Sequence, residues 1–369
     1  MTKFLGLPFY LKLACTLISF LVLGYLAKIG DTILVPFILG LLLALLLVPV
    51  SNFFENKLKF PRTIAGIVTV LLFFGLVGFG FYMLASQLSM IKDDWPAFKE
   101  QILVGFHNVQ VWVTDRFGVR HSEQMDIINK TATKSLDSGT LLLGTALLSL
   151  SSLFILLVFT FLYTFFLLIY RSHIVKFLLM INHQDHHDIV LDVVGQIQYV
   201  VKKYLIGLLL QMLIVSTLVF AALSIIGVKY SLLLAIITGV FNVLPYIGIF
   251  TSILIIALLT FATTSFTHVL IVIGALIIIH LIDSNFIVPK VVGSKVKVNS
   301  LFAMMAIIVG EMIWGISGMF LAIPILAICK IVMDRVKELK PWGFLLGEED
   351  TKPDKDMNKV KTISLKKNQ

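Results

Sequence analysis

Apolar residues in this chain come in long unbroken runs, not in alternation. Runs at about 13–29, 33–50, 63–90, 141–169, 204–228 and 265–283 hold few charged side chains. Most reach or approach the roughly 20 residues that carry a helix across a hydrocarbon core of about 30 Å, where only helices or closed barrels satisfy their own backbone. Continuous apolar runs of this length predict helices, because strands would alternate. The pattern therefore predicts an all-α polytopic membrane protein of about eight hydrophobic segments.

Two further segments break that rhythm. From Ser231 to Ile282 there is no Asp, Glu, Lys or Arg, yet Asn242, Pro245 and Gly248 interrupt the stretch "GVFNVLPYIGIF". Proline cannot donate to the helical ladder and disfavours helix in the residue before it, and glycine accepts backbone geometries that other residues resist. A second interruption, "GEMIWGISG" at 310–318, holds Gly310, Gly315 and Gly318. The arms on either side are about 15 residues long, short of a crossing. Segments 231–262 and 299–333 are thus expected to be re-entrant helical hairpins, with six full spans around them.

Charge decides between this threading and one with two additional crossings. Lys57, Lys59 and Arg62, then Arg171, Lys176, Lys202 and Lys203, and finally the lysines after residue 334 mark the inner side by the bias of short loops toward Lys and Arg. Two full crossings would put Lys290, Lys295 and Lys297 outside; two hairpins put them inside. Both termini are then cytoplasmic. Span 204–228 plus one hairpin and span 265–283 plus the other form one unit used twice in opposite orientation, an inverted repeat of the kind secondary transporters use around a site at the midplane.

The organisation that follows is a scaffold of three helices at 1–90 and a small helical extracytoplasmic domain at 91–140, where six Lys or Arg meet seven Asp or Glu. After them come a fourth span with a helical connector at 141–203, a transport core at 204–335, and a polar lysine-rich tail at 336–369 expected to be disordered. The first span lacks a small-residue cleavage pattern and is read as uncleaved.

Composition agrees: 58% hydrophobic residues, 14% charged and a mean hydropathy of +0.98, against about 25% charged in soluble domains. The net charge of +9 sits in loops and tail facing an anionic leaflet and calls for no nucleic acid. Cys15 and Cys329 lie in apolar runs as packing residues. His183 and His187 in "NHQDHHD" have i, i+4 spacing, but a solvated connector without a second cluster argues against a metal. There is no phosphate-binding loop, nucleophile elbow or zinc motif, so neither an enzyme nor a cofactor is expected.

The motifs "NVLPYIG", "LIDSNFIVPKVVGSKVKVNSL" and "GISGMFLAIPILAICKIVMDRV" resemble the autoinducer-2 exporter family of bacterial inner-membrane transporters. The resemblance extends over nearly the whole chain, and many members carry Pro where this chain has Ser300. It implies a transporter in the bacterial cytoplasmic membrane, either an exporter of the signal autoinducer-2 or a sodium/proton antiporter.

Candidate site residues follow from depth and chemistry. Glu311 is the only acidic residue in 298–329; at a hairpin tip its carboxylate must be protonated, paired or wet. It either binds a proton or cation during transport or meets interfacial water at a shallow tip. Asp283 and Asn285 close the last full span as oxygen ligands or as ordinary helix-end residues. Asn242 and Tyr246 supply an amide and a phenol at the first tip, for substrate or for freed backbone groups. Gln211, alone in its span, reads as an interhelical hydrogen-bond partner. Pro245, Gly248, Pro289, Gly293, Gly310, Gly315, Gly318 and Pro324 are the hairpin and gating positions. The expected partners are a small polar molecule or ion, the bilayer, and further copies of the chain around a static frame. A channel-like pore and a membrane scaffold acting through 91–140 are the alternatives.

Overall fold

The computed structural model describes residues 8–117, 139–244, 247–264, 266–293 and 298–348. Among them every regular element is helical. The chain runs through α1 (Phe9–Ile29), α2 (Asp31–Asn56), α3 (Arg62–Phe117), α4 (Gly139–Ile181) and α5 (His187–Ile226). There follow α6 (Ser231–Phe241), α7 (Ile247–Thr263), α8 (Phe266–Ile282), α9 (Ser300–Arg335) and α10 (Lys340–Leu346).

Six stretches are long and apolar enough to cross a membrane by length and composition: Asp31–Asn56, Arg62–Gln87, Leu153–Ile181, Gln184–Ile226, Phe266–Val291 and Ser300–Arg335. They correspond to the expected series with two shifts. The first expected span, Leu13–Ile29, falls among the shorter apolar helices. Conversely, Ser300–Arg335 is long enough to cross, although the sequence predicts it to be interrupted. Helix α3 continues without a break past residue 90 to Phe117, so the start of the expected 91–140 domain is a helical extension of the span. Its remainder, 118–138, and the tail after residue 348 lie outside the described residues.

The interruption in α9 is present in its backbone. Trp314 (φ −127°, ψ 15°) and Gly315 (φ 58°, ψ −137°) leave the helical region. A side chain strongly disfavours the Gly315 conformation, which is why glycine stands there. Beyond this break the chain doubles back. A Cβ placed on Gly318 would run into the Gly310 carbonyl, and one on Gly310 into the Gly318 carbonyl. In an unbroken helix these two residues would lie about 12 Å apart. Helices α6 and α7 make the same kind of turn, with Gly248 backed against the Phe241 carbonyl and Gly248 N–H donating to the Leu244 carbonyl at 3.2 Å. Pro245 and Tyr246, at this tip, lie outside the described residues.

Two packed bodies carry these hairpins. Helices α2, α3 and α4 share a core of Ala44, Leu47, Val70 and Leu168. There α2 crosses α4 closely enough that a Cβ on Gly40 would sit 2.7 Å from Tyr163 Cβ. At one end Arg171 locks the pair, donating to Glu55 at 2.8 and 2.9 Å, Asn52 at 2.8 Å and Ser51 at 3.3 Å. The second body joins α5 to α8 around Val215, Val219, Leu223, Leu234, Ile256 and Val272. Between the bodies, Val35 and Leu42 of α2, Tyr204 and Leu208 of α5 and Leu321 of α9 share a third cluster. Apart from these clusters, much of the apolar surface is outward, Phe20, Leu21, Tyr82 and Phe154 included, as expected for helices solvated by lipid.

The second turn depends on its glycines for two different reasons, and substitution separates them. Gly315→Ala meets no neighbouring atom but pays the backbone strain of a positive φ, an expected loss of about 1–3 kcal/mol. Gly318→Leu should cost about 1–3 kcal/mol or more by overpacking the arms. Gly24→Leu, in open space on α1, should leave stability within about 0.5 kcal/mol. Thermal unfolding of the three variants in detergent checks the order.

Candidate functional site

A partly polar void lies where the turn between α6 and α7 and the first arm of α9 meet α5 and α8. It has a volume of about 550 Å³ and is lined by Tyr204, Gln211, Asn242, His280, Asp283, Ser300 and Glu348, together with apolar side chains from all four elements. Two helical stripes form its walls. Tyr204, Leu208 and Gln211 follow one face of α5, and Ser300, Ala303, Met304 and Ile307 follow one face of the first arm of α9; both have the i, i+3, i+4, i+7 spacing that puts residues on one side of a helix. The rise from Tyr204 to Gln211 is about 10 Å, so the void extends inward by about that distance.

At its inner end sits Asp283. The residue is 3% exposed and begins two π-helical turns, Asp283–Ile287 and Pro289–Gly293, that continue α8. Widened turns of this kind recur at functional sites. Three N–H donations meet its carboxylate. Gln211 Nε2 donates to Oδ1 at 3.2 Å and Oδ2 at 3.1 Å, and Asn242 Nδ2 donates to Oδ2 at 2.9 Å. Both donors are neutral amides, and among the described residues no Lys or Arg lines the void. Asp283 is therefore a buried acceptor, held in place by neutral donors and able to take a cation or the hydroxyl and amine donors of a guest. A smaller space of about 30 Å³ adjoins it, lined by Thr238, Asn242, Ser252, His280 and Asp283 among others; it is large enough for one water-sized occupant.

Of the residues singled out in the sequence, Asn242 and Asp283 come together, from the C-terminal end of α6 and the end of α8. Gln211 is buried and bridges helices through Asp283. Asn285 is exposed and turns onto its own helix, donating to the Leu281 carbonyl at 2.8 Å. Glu311 is exposed, one turn before the α9 break, outside the lining of this void, and has no hydrogen bond or ion pair with the described residues. Gly248, Gly318 and Pro324 are buried, whereas Pro289 and Lys290 are exposed. Gly293 ends the second π-helical turn. Lys295 and Lys297 lie outside the described residues, and among the described residues no group of His, Cys, Asp and Glu could hold a metal. Ser300, the departure from the usual proline, is the first residue of α9, where proline is well tolerated; Asn299 caps the helix through Oδ1, which accepts from Leu301 N–H at 2.9 Å.

Tyr204, His280 and Glu348 escaped the sequence reading. His280 carried a signal, standing one turn before Asp283 on the same helix. Tyr204 and Glu348 did not, since both reach the site only through packing.

This arrangement, helices broken beside a void with a buried carboxylate at its end, is that of a multi-pass membrane transport protein. Residues 17–338 match the model of the AI-2E family transporters, and the chain belongs to that family. Membership places it with membrane transporters and not with enzymes. The "Putative transport protein YrrI" of Bacillus subtilis (strain 168) is 28% identical over 315 residues, 82% of this chain and 86% of that protein. YhhT of Escherichia coli (strain K12), which bears the same kind of name, is 24% identical over 350 residues, 93% of this chain and 95% of that protein. YueF of Bacillus subtilis (strain 168) is 24% identical over 355 residues, 92% and 93% of the two chains.

The amides around Asp283 should matter to stability as well as to any guest. Gln211→Leu removes two of the three donations to a buried acceptor, at an expected cost of about 1–3 kcal/mol. Gln211→Glu should cost more, by placing a second carboxylate against the first. Thermal unfolding of both variants beside the parent protein checks this.

Proposed function

We propose that the chain is a secondary transporter that moves a small polar molecule or ion through the void ending at Asp283, exporting it or exchanging it against an ion. The observation that carries this reading is the buried Asp283 carboxylate, met only by amide donors, in a cavity whose walls come from both broken segments. Such a cavity favours cargo rich in hydrogen-bond donors, or cations, because among the described residues its acidic groups, Asp283 and Glu348, face no Lys or Arg, and His280 is the one basic side chain in the lining. An autoinducer-2-like polyol and a sodium ion exchanged for a proton both satisfy that chemistry.

In this reading α6–α7 and α9 are re-entrant hairpins. Their support is the 11-residue length of α6, too short to cross, and the backbone reversals at Gly248 and at Gly310–Gly318. Helix α5 with the first hairpin and α8 with the second form the inverted pair, moving or gating against a frame of α2–α4. The frame's outward apolar faces suit assembly with further copies of the chain. The loop lysines put both termini on the cytoplasmic side, and the bacterial relatives suit a cytoplasmic membrane. Coupling belongs to Asp283, with Glu311 as the competing carboxylate.

Flux in proteoliposomes under imposed sodium and proton gradients tests the reading. Asp283→Asn should lower uptake about tenfold or more, the scale of losing one charge-assisted hydrogen bond, while Glu311→Gln keeps gradient-driven flux. Undiminished flux in Asp283→Asn would refute the assignment. Saturation and counter-gradient dependence in the parent protein would distinguish a carrier from a pore.

A further inference from the structure

We propose that the segment after α9, Lys337–Glu348, is a strap that rides on the bilayer surface and closes one end of the cavity. Its closing role rests on the transport reading above; its position does not.

The strap is fastened at its far end and along one side. Leu346 C=O accepts from Asn299 N–H at 2.8 Å, tying the end of α10 to the residue that caps α9. Gly343 is buried against the end of the same helix: a Cβ there would run into the Asp334 carboxylate and lie 3.0 Å from the Asp334 backbone nitrogen. Asp334 is itself held by Lys330 Nζ at 2.6 Å, and a Cβ on Gly347 would sit 3.4 Å from Lys330 Cε. These contacts bring Glu348 into the lining of the cavity at the end where Ser300 and Tyr204 stand, about two helical turns from Asp283.

The opposite face of the strap is apolar and uncovered. Trp342 is 60% exposed and Phe344 86%, with Leu345 beside them, although the short helix could have turned these side chains toward α9. The exposed basic residues Lys337 and Lys340 flank this face, with Glu338 between them and Glu348 at the far end as the strap's acidic residues. Exposed tryptophan, phenylalanine and lysine in one short segment, joined directly to the end of the apolar helix α9, match the headgroup boundary of a bilayer with anionic lipids. The bilayer thus holds the strap from outside while Asn299 and Asp334 hold it from inside.

Two measurements on the full-length protein in nanodiscs containing phosphatidylglycerol test this, in a background of Cys15→Ser and Cys329→Ser. The first follows the rate at which a water-soluble maleimide modifies Ala303→Cys, a wall position. Gly343→Leu, which pushes the strap off Asp334, and a chain ending at Leu339 should each accelerate modification about tenfold, equivalent to about 1.4 kcal/mol of closure. Equal rates in the parent, Gly343→Leu and shortened chains would overturn the strap. The second places a nitroxide at Phe344→Cys, which should be more accessible to oxygen than to a water-soluble nickel complex; the reverse order would overturn its seat in the bilayer. Acceleration at Ala303→Cys together with undiminished flux in Asp283→Asn would refute the transport route and leave the strap in place.

Discussion

Asp283 joins three parts of the chain that no local rule brings together. Its carboxylate is met by Gln211, on a helix 72 residues earlier, and by Asn242, 41 residues earlier. An acceptor with that little exposure demands donors, because an unmet buried charge costs several kcal/mol. Supplying them pulls the end of α6 against α8 and orients α5 so that its polar position faces inward. The cavity walls then follow: Tyr204 and Leu208 share a face with Gln211, and residues 300–307 close the other side. Asp283 is thereby buried to 3% exposure while space remains beside it.

The broken helices meet a related demand. A helix that stops within an apolar environment exposes backbone groups that must find partners. In α6–α7 the answer is local, with Asn242, Val243 and Leu244 donating backward and Gly248 N–H reaching the Leu244 carbonyl. At the break in α9 a side chain serves another helix end: Trp314 Nε1 donates at 2.8 Å to the carbonyl of Ala27, in the last turn of α1. Thus α1 meets the tip of the second turn at its C-terminal end, where its last carbonyls lack intrahelical donors. In the proposed transport reading this bond ties α1 to the second of the broken segments that work against the frame of α2–α4.

Rigidity is unevenly distributed in a way that suits this division. The pair α2–α4 has a close backbone crossing at Gly40 and a multidentate guanidinium clamp at Arg171, features that resist sliding. The broken segments add backbone-on-backbone contacts at Gly248, Gly310 and Gly318 to the side-chain packing of Leu234, Ile256 and Leu321. Arg335 and Asp192, paired at 2.9 Å on the surface, link α9 to α5 only weakly by comparison.

Much of this was legible from the order of residues alone. Unbroken apolar runs determine that the chain is helical and membrane-crossing, since hydrocarbon leaves the backbone few alternatives. The three glycines of 310–318 mark an interruption in α9, which the structure places at Trp314 and Gly315, and Asp283 and Asn242 stand out as polar groups in or at the end of apolar runs. What the order of residues could not decide is which of those groups meet. Helical periodicity assigns a residue to a face of its own helix but says nothing about the rotation of that helix against another. Only the packing of α5, α6 and α8 therefore made Gln211 a partner of Asp283, left Glu311 outside the cavity, and carried Glu348 back to its rim.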